Sequence, residues 1–299
     1  MFKEFAVEPE LLSTWPGYCS LMGHFGINHG RMISKFPKKW KRLVIEAAQK
    51  GNDKEFLRII ESLENADAMF VKKGRPWDKA KNWLENAIVE HARLPFHAVL
   101  SNQESDGNDF VLNFPELDPL APPLAWAVIS SVPICRTATE MAACIKVMLA
   151  RCSFVRFVDP YYDPQTRRFN QPLKEFLKAI QTRSSSSDLP RVEYHTGNRN
   201  CDLAAIQSDL ERWVQPSLAK GQEFQLVRWE QDELHNRFVI TDLGAVKFGQ
   251  GLDENINDPS AKDRVSIQGT ASHLELLEDY SPTSKRFSWL GETLSVIGQ

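Results

Sequence analysis

No run of eighteen apolar residues occurs anywhere in the 299-residue chain, which excludes a transmembrane helix. The five cysteines (Cys19, Cys135, Cys144, Cys152, Cys201) are odd in number and form no CxxC pair, so no disulfide framework is expected. Acids in the opening MFKEFAVEPELL stand where a signal peptide carries a basic and then an apolar stretch. Together these absences predict a cytoplasmic protein. Charge of one sign is also missing. The net charge is -3, with 18 basic against 18 acidic residues up to position 150 and 18 against 21 after it. Indiscriminate binding to a phosphate backbone is therefore not expected, although basic residues converging on a cleft would still serve a nucleic-acid substrate. Neither a GK[ST] phosphate loop nor a Gly-x-Ser-x-Gly elbow is present, and no repeat of fixed period is seen.

What is present is the composition of a globular protein, 42% apolar and 25% charged. The Pro-rich segment NFPELDPLAPPLAW, with prolines at 115, 119, 122 and 123, is the best boundary, because proline removes donors and disfavours helix before it. It divides a region 1–130 from a region 131–299. The first reads as mainly helical. Trp40, Leu43, Val44 and Ala47 share a face, as do Phe56, Ile59, Ile60 and Leu63, and a third stripe runs through Trp77, Ala80, Leu84, Ala87, Ile88 and His91. Leu94–Ser101 reads as a buried strand that needs a sheet to join. In the second region helix and strand signals alternate. Thr137 and Glu140 are spaced as a capping box, FVRFVDPYYDP is a strand running into a turn, 170–182 and 271–280 read as helices, and RVEYH, FQLVRW, NRFVITD and AVKFG read as strands. The expected class is α/β, with strands ending in polar residues along one edge of the sheet.

The densest chemistry lies in LHNRFVITDLGAVKFGQGLDE. On a strand, His235 and Arg237 would project from one face, an imidazole beside a guanidinium. That pair suits a phosphoryl group, since the guanidinium forks its oxygens and a neutral imidazole is a nucleophile toward phosphorus. Cys19, His24 and His29 are spaced C-x4-H-x4-H among glycines, with no fourth ligand nearby, and read as a Gly-rich surface loop rather than a zinc site. His91 and His97 flank a helix-to-strand junction and read as structural.

His235-x-Arg237-x4-Asp242, then six residues and Gly249, resembles the His-x-Lys-x4-Asp-x6-Gly-Ser-x-Asn signature of the phospholipase D superfamily. The chain is similar above all to the phospholipase-D-like domain at the C-terminus of MIT-domain proteins, and to bacterial proteins that carry it. Gly249, Gly251, Leu252 and Asp253 match its Gly-x-Gly-Leu-Asp turn, and VDPYYDP matches its opening Asp-Pro-Tyr. The likeness spans roughly residues 131–260. It implies a phospholipase-D-like sheet flanked by helices, metal-independent phosphodiester chemistry with no cofactor, and, with a single motif, a homodimer that brings two His235 side chains into one cleft. One His235 would attack phosphorus and the other protonate the leaving oxygen. Arg237 would hold phosphoryl oxygens, and Asp242 would orient a group of the site. Asp159, Tyr161, Arg199, Gln250 and Glu254 are the substrate-contact candidates at the cleft rim. The setting implied is a nuclease in bacterial defence against phage. Arg237 replaces the lysine, Gln250 the serine and Leu252 the asparagine of the signature. Those departures fit a second reading, an inactive module that binds an anion, nucleic acid or partner protein, alone or in a larger complex.

Overall fold

The computed structural model describes residues 1–66, 69–71, 74–103, 107–182, 189–198, 202–230 and 233–299. They form two units, 2–129 and 130–299, the second also holding Met1. No helix among the described residues is long and apolar enough to cross a membrane.

Five short strands organise the first unit: β1 (Lys3–Val7), β2 (Arg31–Ser34), β3 (Phe70–Val71), β4 (Ala98–Ser101) and β5 (Val111–Asn113). Their order is β3-β2-β1-β4-β5 and every pairing is parallel. Helices α1 (Trp15–Met22), α2 (Trp40–Ala48), α3 (Asp53–Asn65) and α4 (Trp83–Arg93) cover the sheet. Period-two alternation sends Phe5, Val7, Ile33, Ala98 and Leu100 into one core with Trp40, Val44, Ile59 and Leu63. It sends Ala6 and Val99 into another with Trp83, Leu84 and Ala87. The helical stripes are therefore present, but the expectation of a mainly helical region omits the sheet they pack on. Strands of two to five residues buried on both faces give a short apolar run without alternation, so they leave no periodic signal. The strand near residue 100 joins this unit's own sheet, between β1 and β5. The third stripe is trimmed. An Asn82–Glu85 capping box starts α4 at Trp83, so Trp77 and Ala80 precede it.

The second unit is built from β6 (Ser131–Cys135), α5 (Ala138–Leu149), β7 (Phe154–Val158), α6 (Arg167–Gln181), β8 (Arg191–Gly197), α7 (Leu203–Asp209), β9 (Glu223–Trp229), β10 (Phe238–Thr241), β11 (Ala245–Phe248), β12 (Lys262–Gln268), α8 (Thr270–Asp279) and β13 (Trp289–Ile297). The eight strands lie in the order β13-β9-β8-β7-β10-β11-β12-β6. β7, β8 and β9 are mutually parallel and the remaining pairings are antiparallel. That pattern brings the C-terminal ends of β6, β7, β8, β9 and β11 to one edge, together with the starts of β10, β12 and β13. On one face Phe157 stacks on Phe176 of α6, and on the other Val158, Trp229, Phe238 and Ile240 pack with Leu276 and Tyr280. Thr137 caps α5 as expected, but the Glu140 carboxylate accepts from Cys135 N at 2.7 Å rather than from the cap amide, which is already bonded to Cys135 O. The outer strands of this sheet are guarded. Gln207 and Gln215 side chains donate to Ser295 O and Ile297 O of β13 at 3.1 and 2.7 Å, and β6 carries Pro133.

Candidate phosphodiester site

β7 ends at Val158 because Asp159-Pro160 turns the chain away. Asp159 is 1% exposed, and its carboxylate accepts Tyr161 N at 3.0 Å and Leu252 N at 2.8 Å. Burial pushes its pKa up, while the two amide hydrogen bonds and the charge of Arg237 pull the other way. Rather than lying open at the rim, Asp159 ties the end of β7 to the Gly249–Glu254 turn.

That turn is fixed from several sides. Gly251 has φ +151, and a Cβ there would sit 2.5 Å from Asp253 Oδ1 and 3.3 Å from Asp159 Oδ2, so only glycine fits. Asp253 pairs with Arg136 at 2.6 Å and with Arg168 at 3.7 Å. Pro172, inside α6, has no N–H for the Arg168 carbonyl four residues before it. The amide of Glu254 takes that carbonyl instead, at 2.9 Å. The Glu254 carboxylate accepts Ala138 N at 3.3 Å at the start of α5, and Gln250 is exposed, its amide donating to Asp263 Oδ1 at 3.0 Å. Arg136 and Arg168 were not singled out from the sequence. Their signal was the acid of the Gly-Leu-Asp turn, which needed a cation.

Arg237 lies beside Tyr161 and within electrostatic reach of Asp159. Its guanidinium sits 5.1 Å from the centre of the Tyr161 ring, and Nη1 donates to His235 O at 3.1 Å. Its Nε is buried and has no hydrogen-bond partner among the described residues. Tyr161 is 37% exposed, whereas Tyr162 is buried and stacks on Tyr194 at 3.7 Å. His235 is exposed. A half-buried guanidinium with an unused N–H, a partly exposed phenol ring and an exposed imidazole thus meet at one edge. They can bind an oxyanion and stack a flat group beside it.

Two expectations about the motif are corrected by its geometry. His235 and Arg237 precede β10 instead of sharing a strand face. Phe238 pairs with Val158, the last residue of β7, so the ladder on that side has no partner for Arg237. Asp242 follows the far end of β10, about 16 Å from Arg237 at the rise of an extended chain. Its carboxylate accepts both N and Oγ of Ser153 at 2.8 Å, which anchors the start of β7. Arg199 lies outside the described residues.

The other histidine at this edge, His195, is 2% exposed. The Trp229 indole donates to its Nδ1 at 3.0 Å, so Nε2 carries the proton and donates to Glu193 at 3.1 Å. Arg156 also donates to Glu193, at 2.7 Å, and Arg191 pairs with it at 2.5 Å. Burial lowers the pKa of His195, keeping it neutral. Burial also works against an ionised Glu193, but the bond from His195 and the charge of Arg156 outweigh it and hold its pKa at about 2. Elsewhere, His24 packs on Trp126 at 5.6 Å, His91 stacks on Phe110 at 3.7 Å, and His97 Nε2 lies 3.0 Å from Ala127 O. No group of three His, Cys, Asp or Glu side chains among the described residues is placed to hold a metal ion. A pocket of about 170 Å³ beside Asn236 is lined by Phe238, Glu275, Tyr280 and Phe287, on the α8 face.

No family model and no curated protein matches the chain. A solved structure similar to it is that of TrmBL2, an archaeal chromatin protein described with a novel mode of DNA binding. The match has 11% identity over 85% of this chain and 72% of that one, with a TM-score of 0.30, a likeness that carries no argument about fold or function.

Proposed function

We propose that the C-terminal unit recognises a phosphodiester at this edge, in the manner the phospholipase-D-like resemblance implies. The observation that carries the reading is Arg237, a half-buried guanidinium with an unused Nε–H beside the Tyr161 ring. Arg237 takes phosphoryl oxygens, Tyr161 packs against the sugar or base next to them, and the turn 249–254 steadies the Tyr161 loop through Asp159.

A second reading, metal-independent hydrolysis, is favoured by the exposed His235 two residues from Arg237. In it the imidazole attacks phosphorus, the P–O bond to the leaving group breaks and the leaving oxygen takes a proton, after which water cleaves the phosphohistidine. A second imidazole must supply that proton. His195 cannot, because it is buried and both ring nitrogens are engaged, so the acid has to come from His235 of another copy.

The test is incubation of the full chain, its Arg237→Ala variant and its His235→Ala variant with single-stranded DNA, duplex DNA and RNA in EDTA. Binding weakened about tenfold or more by Arg237→Ala is the expected result, the scale of a charged hydrogen bond to phosphate. Cleavage that survives the chelator and vanishes in His235→Ala selects hydrolysis, and binding without cleavage selects the module. No binding of any of the three by the unaltered chain sinks the proposal.

A further inference from the structure

The groove beside Asn236 lies on the α8 face of the C-terminal sheet and has a volume of about 170 Å³. That is below the roughly 300–1,000 Å³ of pockets for drug-sized ligands, and it suits a single flat ring. Three aromatic residues wall it. The ring centres of Phe238 and Tyr280 are 6.3 Å apart, and those of Tyr280 and Phe287 are 5.2 Å apart. Tyr280 is 2% exposed, yet its hydroxyl makes no hydrogen bond with any described residue. Burial pushes its pKa up, so the hydroxyl remains a donor. A tyrosine buried to that extent normally finds a partner for its hydroxyl, and leaving it without one costs stability. Two further groups of the lining are unspent. The Asn236 side-chain amide and the Glu275 carboxylate have no partner among the described residues. The other acid of the groove, Asp279, is neutralised by Arg286 at 2.7 Å.

Packing explains the rings but not the unpartnered hydroxyl. Asn236 stands between His235 and Arg237 in sequence, so the groove opens one residue away from the guanidinium that takes phosphoryl oxygens. A phosphodiester joins two nucleosides, and Tyr161 packs against only one of them. We infer that the groove holds an amino-bearing base of the bound nucleotide, guanine foremost, an inference that rests on the phosphodiester reading of Arg237. A base is flat and stacks on aromatic side chains. The ring N–H and the amino group of guanine are adjacent donors, and the Glu275 carboxylate accepts both. Uracil and thymine have no amino group and would turn a carbonyl oxygen toward that carboxylate. A cationic side chain of a partner protein suits the groove less, because cations of the chain already face these rings. Arg286 lies 5.2 Å from the centre of Phe287, and Lys247 lies 6.0 Å from that of Phe238.

The full chain and its Glu275→Gln, Tyr280→Phe and Arg237→Ala variants are titrated by ligand-observed NMR with GMP, AMP, CMP, UMP, ribose 5-phosphate and argininamide. Circular dichroism and thermal melting confirm that each variant is folded. GMP should bind at least about tenfold tighter than UMP or ribose 5-phosphate, the scale of a hydrogen bond to a charged acceptor. Glu275→Gln should erase that preference, and Tyr280→Phe should weaken GMP about threefold, the scale of a neutral hydrogen bond. Arg237→Ala should weaken every nucleotide and ribose 5-phosphate alike. Equal affinity for the nucleotides and ribose 5-phosphate overturns the base groove and leaves the phosphodiester reading standing, as does a GMP preference that survives both groove variants. Argininamide binding that exceeds GMP binding and is lost in Glu275→Gln overturns it in favour of a cationic partner. Loss of the preference in Glu275→Gln with no effect of Arg237→Ala supports the groove and counts against Arg237 as the phosphate contact. No binding of any nucleotide overturns both.

Discussion

At one edge of the C-terminal sheet, two histidines with nearby arginines meet opposite fates. His195 lies under Tyr280 and Trp229 with both ring nitrogens engaged, and its partner Glu193 is saturated by Arg156 and Arg191. His235 stands in an irregular segment open to solvent, beside an arginine with an N–H left over. The first cluster turns its hydrogen-bonding groups inward, onto one another and onto Leu277 O of α8, and so serves the fold. The second keeps capacity for an outside molecule. Residue type does not separate them; exposure and unused hydrogen-bonding capacity do.

The sharpest way to break this contrast is to remove the centre of the closed cluster. Glu193→Ala leaves Arg156 buried without its carboxylate and should cost about 3–5 kcal/mol of stability in denaturant unfolding. A loss below about 1 kcal/mol would show that the cluster is dispensable to the fold. Next in size is Gly251→Ala, where a Cβ collides with Asp253 and the backbone is unfavourable for alanine. About 1–3 kcal/mol is expected, together with weaker phosphodiester binding, because the turn bonded to Asp159, and through it to the Tyr161 loop, must move. An unaltered melting temperature would mean that the turn tolerates the shift.

Acid should discriminate the clusters as well. The pKa of His195 lies below its ordinary 6.5 in the folded chain, so at lower pH the unfolded chain takes the proton first and stability falls as pH drops through 6.5. Glu193, depressed from 4.5 to about 2, contributes stability that is present above pH 4.5 and is lost as pH falls toward 2. Both slopes have the same sign. Unfolding free energy measured from pH 7 down to pH 4 should decline, and the part due to His195 should disappear in His195→Gln. A flat profile contradicts the burial of a neutral imidazole. The smallest effect belongs to His235→Ala, which should leave stability within about 0.5 kcal/mol of the unaltered chain, as expected for an exposed side chain.

Much of the C-terminal unit was legible in the sequence because its elements are long enough to show a period. The helix expected at 170–182 is α6, displaced by a few residues, and RVEYH, FQLVRW and AVKFG are β8, β9 and β11. The first unit was harder to read. β3 is two residues long and β5 three, and β2 follows a glycine loop, so their pairing is set by contacts distant in sequence. The candidate site was half visible. Spacing brought attention to Arg237, Tyr161 and the glycine turn, but could not reveal that β10 begins one residue after Arg237. That limit is set by where β7 ends, at Asp159-Pro160, almost eighty residues earlier in the chain. The division of labour between Tyr161 and Tyr162 was hidden for the same reason, since it depends on Tyr194 of β8.

The guarded outer strands of the eight-stranded sheet have a consequence for assembly. A strand whose carbonyls already accept glutamine amides offers little template for another chain, and a proline-bearing strand at the opposite end withholds a donor. Growth by adding strands, the route to fibrils and to continuous intermolecular sheets, is discouraged at both margins. Two copies that met at this unit would do so through side chains of its loops or helices, leaving the eight-stranded sheet complete within its own molecule.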